Sequence, residues 1–228
     1  MSGHDGPLPA LKERAGVVAA LADGRQTLLL RDPGLKPQEY AGWFALYPAF
    51  SHQSPDRYSP EALDYYRENA EKPADGIPVR AVARVADEWT APASVVEALA
   101  EHYVYSPAGI REKYGVEDER DEVRALLLRV AELPAERVLA ERPAYRGCRT
   151  WISLDESVDL DPTEAVPVLD DESFAARREG VETALGRGRR RRAPDGPPAP
   201  TGRRRASPRR RGRRGHRGWF WLSPRRRG

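Results

Sequence analysis

The stretch ALKERAGVVAALADGRQTLLLRDPG, residues 10–34, decides the fold class because it contains two different periodicities. Apolar side chains recur 4, 7 and 11 positions after Leu11, which predicts a helix over residues 10–22. The short apolar run at residues 26–31 is closed by a turn of Asp, Pro and Gly, which predicts a buried strand. A helix that leads directly into a strand indicates a protein built from both kinds of element.

The rest of the sequence alternates between the same two patterns. Residues 77–89 alternate apolar and polar side chains, as a half-buried strand does. Further strands are predicted at residues 43–50, 122–134 and 148–154, and further helices at 59–70, 91–105, 106–115 and 170–185. Helices interspersed with about five short strands predict an α+β protein, with a small curved sheet or partly closed β-barrel and helices packed outside it.

The charge of the chain changes sign toward its C-terminal end. Residues 1–186 carry 21 basic and 34 acidic side chains, a formal charge of −13, whereas residues 187–228 carry 17 Arg and one acid. We expect a flexible N-terminus at residues 1–9, one globular domain at residues 10–185 and a disordered Arg/Gly/Pro-rich tail at residues 186–228. Such a tail cannot bury enough apolar surface to offset the entropy lost on ordering.

Three interpretations of the tail are open. It is an Arg-rich arm that binds nucleic acid through counter-ion release, a solvated segment without a role, or the product of a shifted reading frame in a GC-rich gene. The absence of lysine among its 17 basic residues favours the shifted frame. We therefore base no function on the tail alone.

The compartment follows from cysteine usage and from the apolar runs. The single cysteine, Cys148, cannot form an internal disulfide, which indicates a reducing environment. No apolar run is long enough to span a membrane, and no apolar leader segment follows the first residues. The sequence therefore predicts a soluble, cytoplasmic protein that does not contact membranes.

Several common catalytic motifs are missing from the sequence. No acidic residue stands two positions before any of the four lysines, so the metal-binding acid-x-lysine motif of restriction-type nucleases is absent in its usual form. The phosphate-binding P-loop and the G-x-S-x-G serine elbow are also absent. One cysteine and scattered histidines do not form the ordinary zinc arrays, and we predict neither a metal nor a cofactor.

One candidate for chemistry is a thiolate–imidazole pair formed by Cys148 and His52, with a carboxylate orienting the imidazole ring. The alternative for a lone cysteine is a small thiol buried by packing, which is the commoner case. A small hydrolase that uses this pair, or a carboxylate site, is the second functional hypothesis.

The first hypothesis is a nucleic-acid site built from aromatic and Arg side chains near strand ends and turns. Aromatic rings stack on bases, Arg binds phosphate or guanine, and Gln pairs with adenine. The alternative for the two tryptophans is a place in the core. The candidate residues are Arg25, Arg31, Tyr47, His52, Gln53, Trp89, Tyr145, Arg149 and Trp151.

Four segments resemble the microbial domain-of-unknown-function family numbered 1802. They are ALKERAGVVAALADGRQTLLLRDPG, FALYPAFSHQ, ALLLRVAELP and YRGCRTWISLDE, in the family's order and within residues 10–180. The chain departs from the family pattern at Arg14, where the family has Trp, at Asp32-Pro33, where it has Lys-Gly, and at Arg149-Thr150. The resemblance implies a link with restriction–modification systems, and hence a recognition module whose partner is a separate nuclease.

A second likeness is to the PUA-like barrels, which include the ASCH and EVE domains. There a helix is followed by G-[KR]-x-T and a strand ending in Arg, as in Gly24-Arg25-Gln26-Thr27 and the strand that ends at Arg31. The likeness implies a cleft that holds RNA or a modified base. The expected function is therefore a non-catalytic nucleic-acid recognition module, in restriction–modification or RNA metabolism.

Overall fold

A strongly curved β-sheet forms the frame of the protein in the computed structural model. The structure describes residues 8–32, 42–118, 121–147, 149–155, 158, 160–186 and 190–191. Within these residues the strands are β1 (Pro9–Arg14), β2 (Leu28–Arg31), β3 (Trp43–Ala49), β4 (Ile77–Pro92), β5 (Glu122–Leu139), β6 (Trp151–Ser153), β7 (Val166–Pro167) and β8 (Arg190–Arg191). The helices are α1 (Ala15–Ala22), α2 (Leu63–Glu68), α3 (Val96–Ala100), α4 (Pro107–Tyr114) and α5 (Asp171–Ala184).

The strands form a single mixed sheet in the order β2-β5-β4-β3-β1-β6, with β7 beside β5 and β8 beside β4. The β1–β3 pair is parallel, and the other named pairs are antiparallel. The long β4–β5 ladder shifts register between Val79 and Ala81 and again between Val85 and Asp87. Such bulges bend a strand and increase its twist, which curves the sheet. The predicted α+β class with a curved sheet is confirmed.

The two faces of the sheet carry two separate apolar clusters. Side chains of β3 alternate between them, with Phe44 and Leu46 in one cluster and Ala45 and Tyr47 in the other. The helices supply Leu21, Leu99, Ile110 and Val181 to the first cluster, so they cover one face of the sheet. The segment after β5 covers the other face with Tyr145, Leu154 and Leu160.

The helix predicted at residues 10–22 is wrong in its first half. Residues Pro9–Arg14 form β1, and helix α1 begins only at Ala15. Tertiary pairing overrides the helical pattern here, because β1 is inserted between β3 and β6 and is hydrogen-bonded on both sides. β1 therefore places three consecutive charged residues, Lys12 to Arg14, at the end of a sheet strand.

Other elements differ from prediction mainly in length. The helices expected at 59–70 and 91–105 are reduced to α2 and α3, each preceded by a single 3-10 turn. The strands expected at 77–89 and 122–134 continue to Pro92 and Leu139 because they pair with each other along most of their length. Residues 1–7 and most of the predicted tail lie outside the described residues, and Arg190–Arg191 of that tail pairs with β4 as β8.

The start of α4 is fixed against the 3-10 turn Pro55–Arg57. Ser106 caps the helix, since its hydroxyl accepts a hydrogen bond from the Gly109 amide at 3.1 Å. The Ser106 amide in turn donates to the Arg57 carbonyl at 2.8 Å. Gly109 is buried directly against the Arg57 backbone, and a Cβ there would lie 2.6 Å from the Arg57 Cα. This close approach fixes the position of Lys113 in the last turn of α4.

No helix within the described part of the chain is both long enough and apolar enough to cross a membrane.

Candidate nucleic-acid interface

A cleft of about 530 Å³ opens where the carboxyl ends of β1, β2 and β3 meet. The parallel pairing of β1 with β3 brings two of these ends to the same edge. Arg31, the last residue of β2, reaches the same edge, where its Nη2 lies 3.4 Å from the Lys12 carbonyl oxygen. Basic side chains dominate the described part of the lining, with seven Lys or Arg against two Glu: Lys12, Arg14, Arg31, Lys72, Lys113, Arg146 and Arg149 against Glu13 and Glu141.

The floor of the cleft is a buried three-residue cluster centred on Glu13, which is 3% exposed. Arg31 Nη1 lies 2.6 Å from one carboxylate oxygen of Glu13, and Lys113 Nζ lies 3.0 Å from the other. The backbone amide of Arg14 also donates to this carboxylate, at 2.7 Å. Two cations therefore share one anion, and the cluster retains a single positive charge that faces the cleft.

The charge state of Glu13 is set by its partners. Burial alone would raise the pKa of Glu13, but Arg31, Lys113 and the Arg14 amide together lower it from 4.5 to about 2. Glu13 is therefore ionised at neutral pH and holds no proton to donate as a general acid. Because both of its oxygens are engaged by cations, we assign this carboxylate the role of positioning Arg31 and Lys113.

The depressed pKa of Glu13 predicts a specific loss of stability in acid. Since its folded-state pKa lies below its ordinary value, the stabilisation is complete above pH 4.5 and is lost as the pH falls toward about 2. A shift of this size corresponds to about 3 kcal/mol of unfolding free energy. Urea unfolding at several pH values between 6 and 2.5 measures this loss of unfolding free energy. The Glu13→Gln variant lacks the Glu13 carboxylate, so its pH dependence gives the contribution of all other carboxylates. Equal acid dependence of the two proteins would contradict the prediction.

The buried Tyr103 and the half-buried Tyr114 enclose the back of the cluster. The Tyr103 and Tyr114 hydroxyls are 3.1 Å apart, and the Lys113 ammonium lies 4.9 Å from the centre of the Tyr114 ring. Burial lowers the pKa of Lys113, and the charge of Glu13 opposes this shift. In this poorly hydrated setting an anion that enters the cleft interacts with the cations more strongly than it would in water.

The rim of the cleft is held together by other basic side chains. Lys12 Nζ donates to the carbonyls of Tyr145 and Gly147, at 2.7 and 3.0 Å, and Arg14 Nη1 donates to the Ser51 carbonyl at 3.0 Å. These bonds satisfy backbone carbonyl oxygens of the rim. At the outer rim Lys72 and Arg146 share Glu141, at 3.2 and 3.5 Å. Arg149 is exposed and has no ion pair within the described residues.

The cleft brings together five of the residues selected from the sequence: Arg31, Tyr47, His52, Tyr145 and Arg149. The Tyr47 and Tyr145 rings are both buried and contact each other edge to face, with centroids 5.9 Å apart. Burial raises the pKa of Tyr47 to about 12, so its hydroxyl stays protonated at neutral pH. His52 is exposed at the mouth and has a positive φ of 58°.

Four other selected residues lie outside the lining of the cleft. Gln53 is used by the backbone, since its Oε1 accepts from the Gly16 amide at 3.1 Å and its Nε2 donates to the Asn69 carbonyl at 2.6 Å. The Trp151 and Phe44 rings pack edge to face, with their centroids 5.1 Å apart, and Trp89 lies in the core with 3% of its surface exposed. Arg25 is the fourth selected residue that does not line the cleft.

Of the candidate catalytic pair, His52 is the member that the structure describes, at the mouth of the cleft. Cys148 lies outside the described residues, and the carboxylate at the cleft floor is neutralised by Arg31 and Lys113. Among the described residues, no three His, Cys, Asp or Glu side chains are grouped closely enough to hold a metal ion.

Sequence reasoning found Arg31 but missed Glu13 and Lys113 of the buried floor and most of the basic lining. Lys12, Lys72 and Lys113 are three of only four lysines before residue 187, and all three line the cleft. They are widely separated in the sequence, so no local motif connects them. The one available signal was their rarity: in a lysine-poor, acidic body, each lysine marks a position where a flexible cation is retained.

The chain is similar to a protein-family profile and to solved structures of an ASCH protein. The family profile described as Domain of unknown function (DUF1802) matches residues 10–180. Crystal structures of an ASCH protein from Zymomonas mobilis are similar, at 12% identity and a TM-score of 0.44 for a serine-to-alanine mutant, covering 67% of this chain and 91% of that one. The structure of the unmutated protein has 12% sequence identity and a TM-score of 0.42, and the match covers 66% of this chain and 89% of that one. None of the curated proteins matches the chain.

Proposed function

This chain belongs to the DUF1802 family of domains of unknown function, and we propose that its cleft binds single-stranded nucleic acid. The observation that carries the proposal is the local inversion of charge. Among the residues that the structure describes, seven basic side chains and two acidic ones line the cleft, whereas residues 1–186 as a whole carry a formal charge of −13. A concentrated positive site in an acidic protein indicates an anionic ligand.

The distant acidic side chains do not prevent such binding. Salt screens surface charges over about 8 Å at physiological ionic strength, so a phosphate group in the cleft interacts mainly with the charges that line it. The acidic remainder of the surface repels nucleic acid that approaches elsewhere. Together the two effects restrict binding to the cleft.

The size and shape of the cleft favour a single strand over a duplex. A volume of about 530 Å³ falls within the usual range for small-molecule pockets, so it accommodates one or two nucleotide units and excludes a double helix. Phe50 is half-buried in the wall and offers an aromatic surface near the cations. Base stacking on an aromatic ring is tolerant of sequence and adds to phosphate attraction.

Removing one exposed cation of the cleft tests the proposal. Arg149→Ala should weaken binding of a single-stranded oligonucleotide about 3- to 10-fold at low salt and reduce the salt slope by about 0.7, because one phosphate contact is lost. Fluorescence anisotropy titrations at several salt concentrations measure both quantities. Arg67→Ala is the matched control, since Arg67 is an exposed Arg on α2 outside the cleft lining.

The Arg-rich tail requires a separate control because its 17 Arg attract any nucleic acid. The titrations are therefore repeated with a chain that ends at Gly186. Binding that survives removal of the tail and falls with Arg149→Ala supports the cleft as the site. Binding that is lost when the tail is removed, and that Arg149→Ala does not change in the full chain, contradicts the proposal.

Such a module would select a strand for another protein to process. The absence of the sequence motifs of nucleases and phosphate-binding loops supports a non-catalytic role. We accordingly propose a separate nuclease, of the restriction-system type, as the partner, and co-purification from a host that carries both genes tests it. Recovery of this chain alone, under conditions that keep the nuclease soluble, argues against that partnership.

A further inference from the structure

We propose that the cleft floor recognises a terminal phosphate, so that the preferred ligand is the phosphorylated end of a strand or a mononucleotide. This inference rests on the proposed function and specifies which part of the nucleic acid enters the cleft. It depends on three observations about Glu13, Arg31 and Lys113, which we call the floor cluster.

The first observation is the depth of the floor cluster. The side chains of Arg31 and Lys113 are only 10% and 11% exposed, although both line the cleft. An internal phosphodiester carries a sugar on each side, and both sugars must stay close to the phosphate. A terminal phosphate is joined to one sugar only and projects from the strand. Cations recessed to this extent are therefore accessible to a projecting group and poorly accessible to the middle of a strand.

The second observation is that the floor cluster has unused hydrogen-bond donors. An ammonium carries three donors, and within the described residues Lys113 Nζ has one hydrogen-bond partner, Glu13. A guanidinium carries five donors, and Arg31 contacts Glu13 through Nη1. Its one other hydrogen bond to the described part of the chain is a long 3.4 Å bond from Nη2 to the Lys12 carbonyl. A terminal phosphate has three free oxygens to accept such bonds, whereas an internal phosphodiester has two.

The third observation is the charge balance. The floor cluster has one positive charge in excess, and Arg14, which donates to the Ser51 carbonyl, adds another in the same lining. A terminal phosphate carries about −1.5 to −2 at neutral pH, against −1 for an internal phosphodiester. Glu13 keeps Arg31 and Lys113 in place before the ligand arrives, so binding does not require two long side chains to be ordered.

The experiment uses the full chain and three oligonucleotides of one sequence, with a 5′-phosphate, a 3′-phosphate or hydroxyl groups at both ends. We expect at least one phosphorylated end to bind about tenfold more tightly than the hydroxyl ends, the difference expected for one charge-assisted contact in a desolvated site. Comparing the two phosphorylated arms identifies which end enters. Inorganic phosphate should compete for the site, whereas dimethyl phosphate, which mimics the diester, should compete weakly.

Two lysines of the same cleft provide matched variants. Lys113→Met, at the floor, should abolish the preference for a phosphorylated end. Lys72→Met, at the rim, also removes one positive charge, and it should weaken the binding of all three oligonucleotides by the same factor. Thermal unfolding establishes that each variant is folded, and the competition by phosphate on the unaltered protein requires no variant.

The outcomes separate this inference from the proposed function. Equal affinity for all three oligonucleotides, with binding still sensitive to Lys72, would overturn the terminal-phosphate inference and leave the nucleic-acid site standing. A preference that survives in Lys113→Met would also overturn it, because the tail or another surface would then be responsible. Binding that neither lysine affects would overturn the proposed function itself.

Discussion

Replacing Glu13 with glutamine should reduce the free energy of unfolding by about 3–5 kcal/mol, the usual loss when one member of a buried ion cluster is removed. The substitution keeps the shape of the side chain and removes only its charge. Arg31 and Lys113 would then face each other as two buried cations without a counter-ion. Urea denaturation at pH 7 measures the loss.

The pH dependence of the variant distinguishes this cause from a simple packing defect. Burial lowers the pKa of Lys113, and in Glu13→Gln the opposing charge of Glu13 is gone. The unfolded chain then binds more protons than the folded one in the alkaline range, so the stability of the variant should rise as the pH rises. The unaltered protein should show a weaker rise, because Glu13 retains the Lys113 proton.

An exposed glutamate serves as the control. Glu112 pairs with Arg57 at 2.9 Å, but its side chain is 59% exposed, and solvent screens such pairs. Glu112→Gln should therefore leave the unfolding transition almost unchanged. If Glu13→Gln behaved like Glu112→Gln, the floor cluster would not be a buried ion network in solution.

A single added methyl group at Gly109 should also be severely destabilising, by about 3 kcal/mol, at the upper end of the usual cost of overpacking. The new Cβ would lie 2.6 Å from the Arg57 Cα and 2.7 Å from its carbonyl carbon. Backbone atoms cannot rotate away as a side chain does, so α4 must move outward. The movement would stretch the bond from the Ser106 amide to the Arg57 carbonyl and displace Lys113 from Glu13.

The same substitution at the other end of α4 is the matched control. Gly115 ends the helix with a positive φ of 59°, and a Cβ there meets no atom within 4 Å. Gly115→Ala should cost only the left-handed backbone penalty, about 1 kcal/mol. In thermal unfolding, the melting temperature of Gly109→Ala should lie far below that of Gly115→Ala. The reverse order would mean that α4 does not pack against the Pro55–Arg57 turn as described.

The sequence was sufficient for the fold class but insufficient for the order of the strands. Alternation in residues 77–89 and the cap at Ser106 are local signals, and the structure contains both elements. The helix predicted from residue 10 failed because β1 owes its conformation to β3 and β6, which lie far away in the chain. Local periodicity carries no information about such partners.

The candidate site was also only partly predictable, because residues at strand ends could be found from the sequence and buried tertiary contacts could not. Arg31 and His52 were selected because both follow apolar strands, and both line the cleft. Gln53 was selected for its base-pairing chemistry, but its amide is used by the Gly16 and Asn69 backbones. Glu13 was not selected, because an acid between two bases looks like an ordinary solvated run. Its burial between Arg31 and Lys113 depends on tertiary contacts that no motif encodes.

The insertion of β1 between β3 and β6 has a consequence for folding during synthesis. Lys12 contacts the carbonyl of Tyr145, 133 positions later, so the wall of the cleft closes only after most of the domain has left the ribosome. At about 5–20 residues per second, β1 is synthesised roughly 7 to 28 seconds before its second neighbour. Until then it is an open sheet edge, and its Lys12, Glu13 and Arg14 side chains discourage pairing with other chains. The charges that form the cleft in the finished protein thus also protect the strand while it is incomplete.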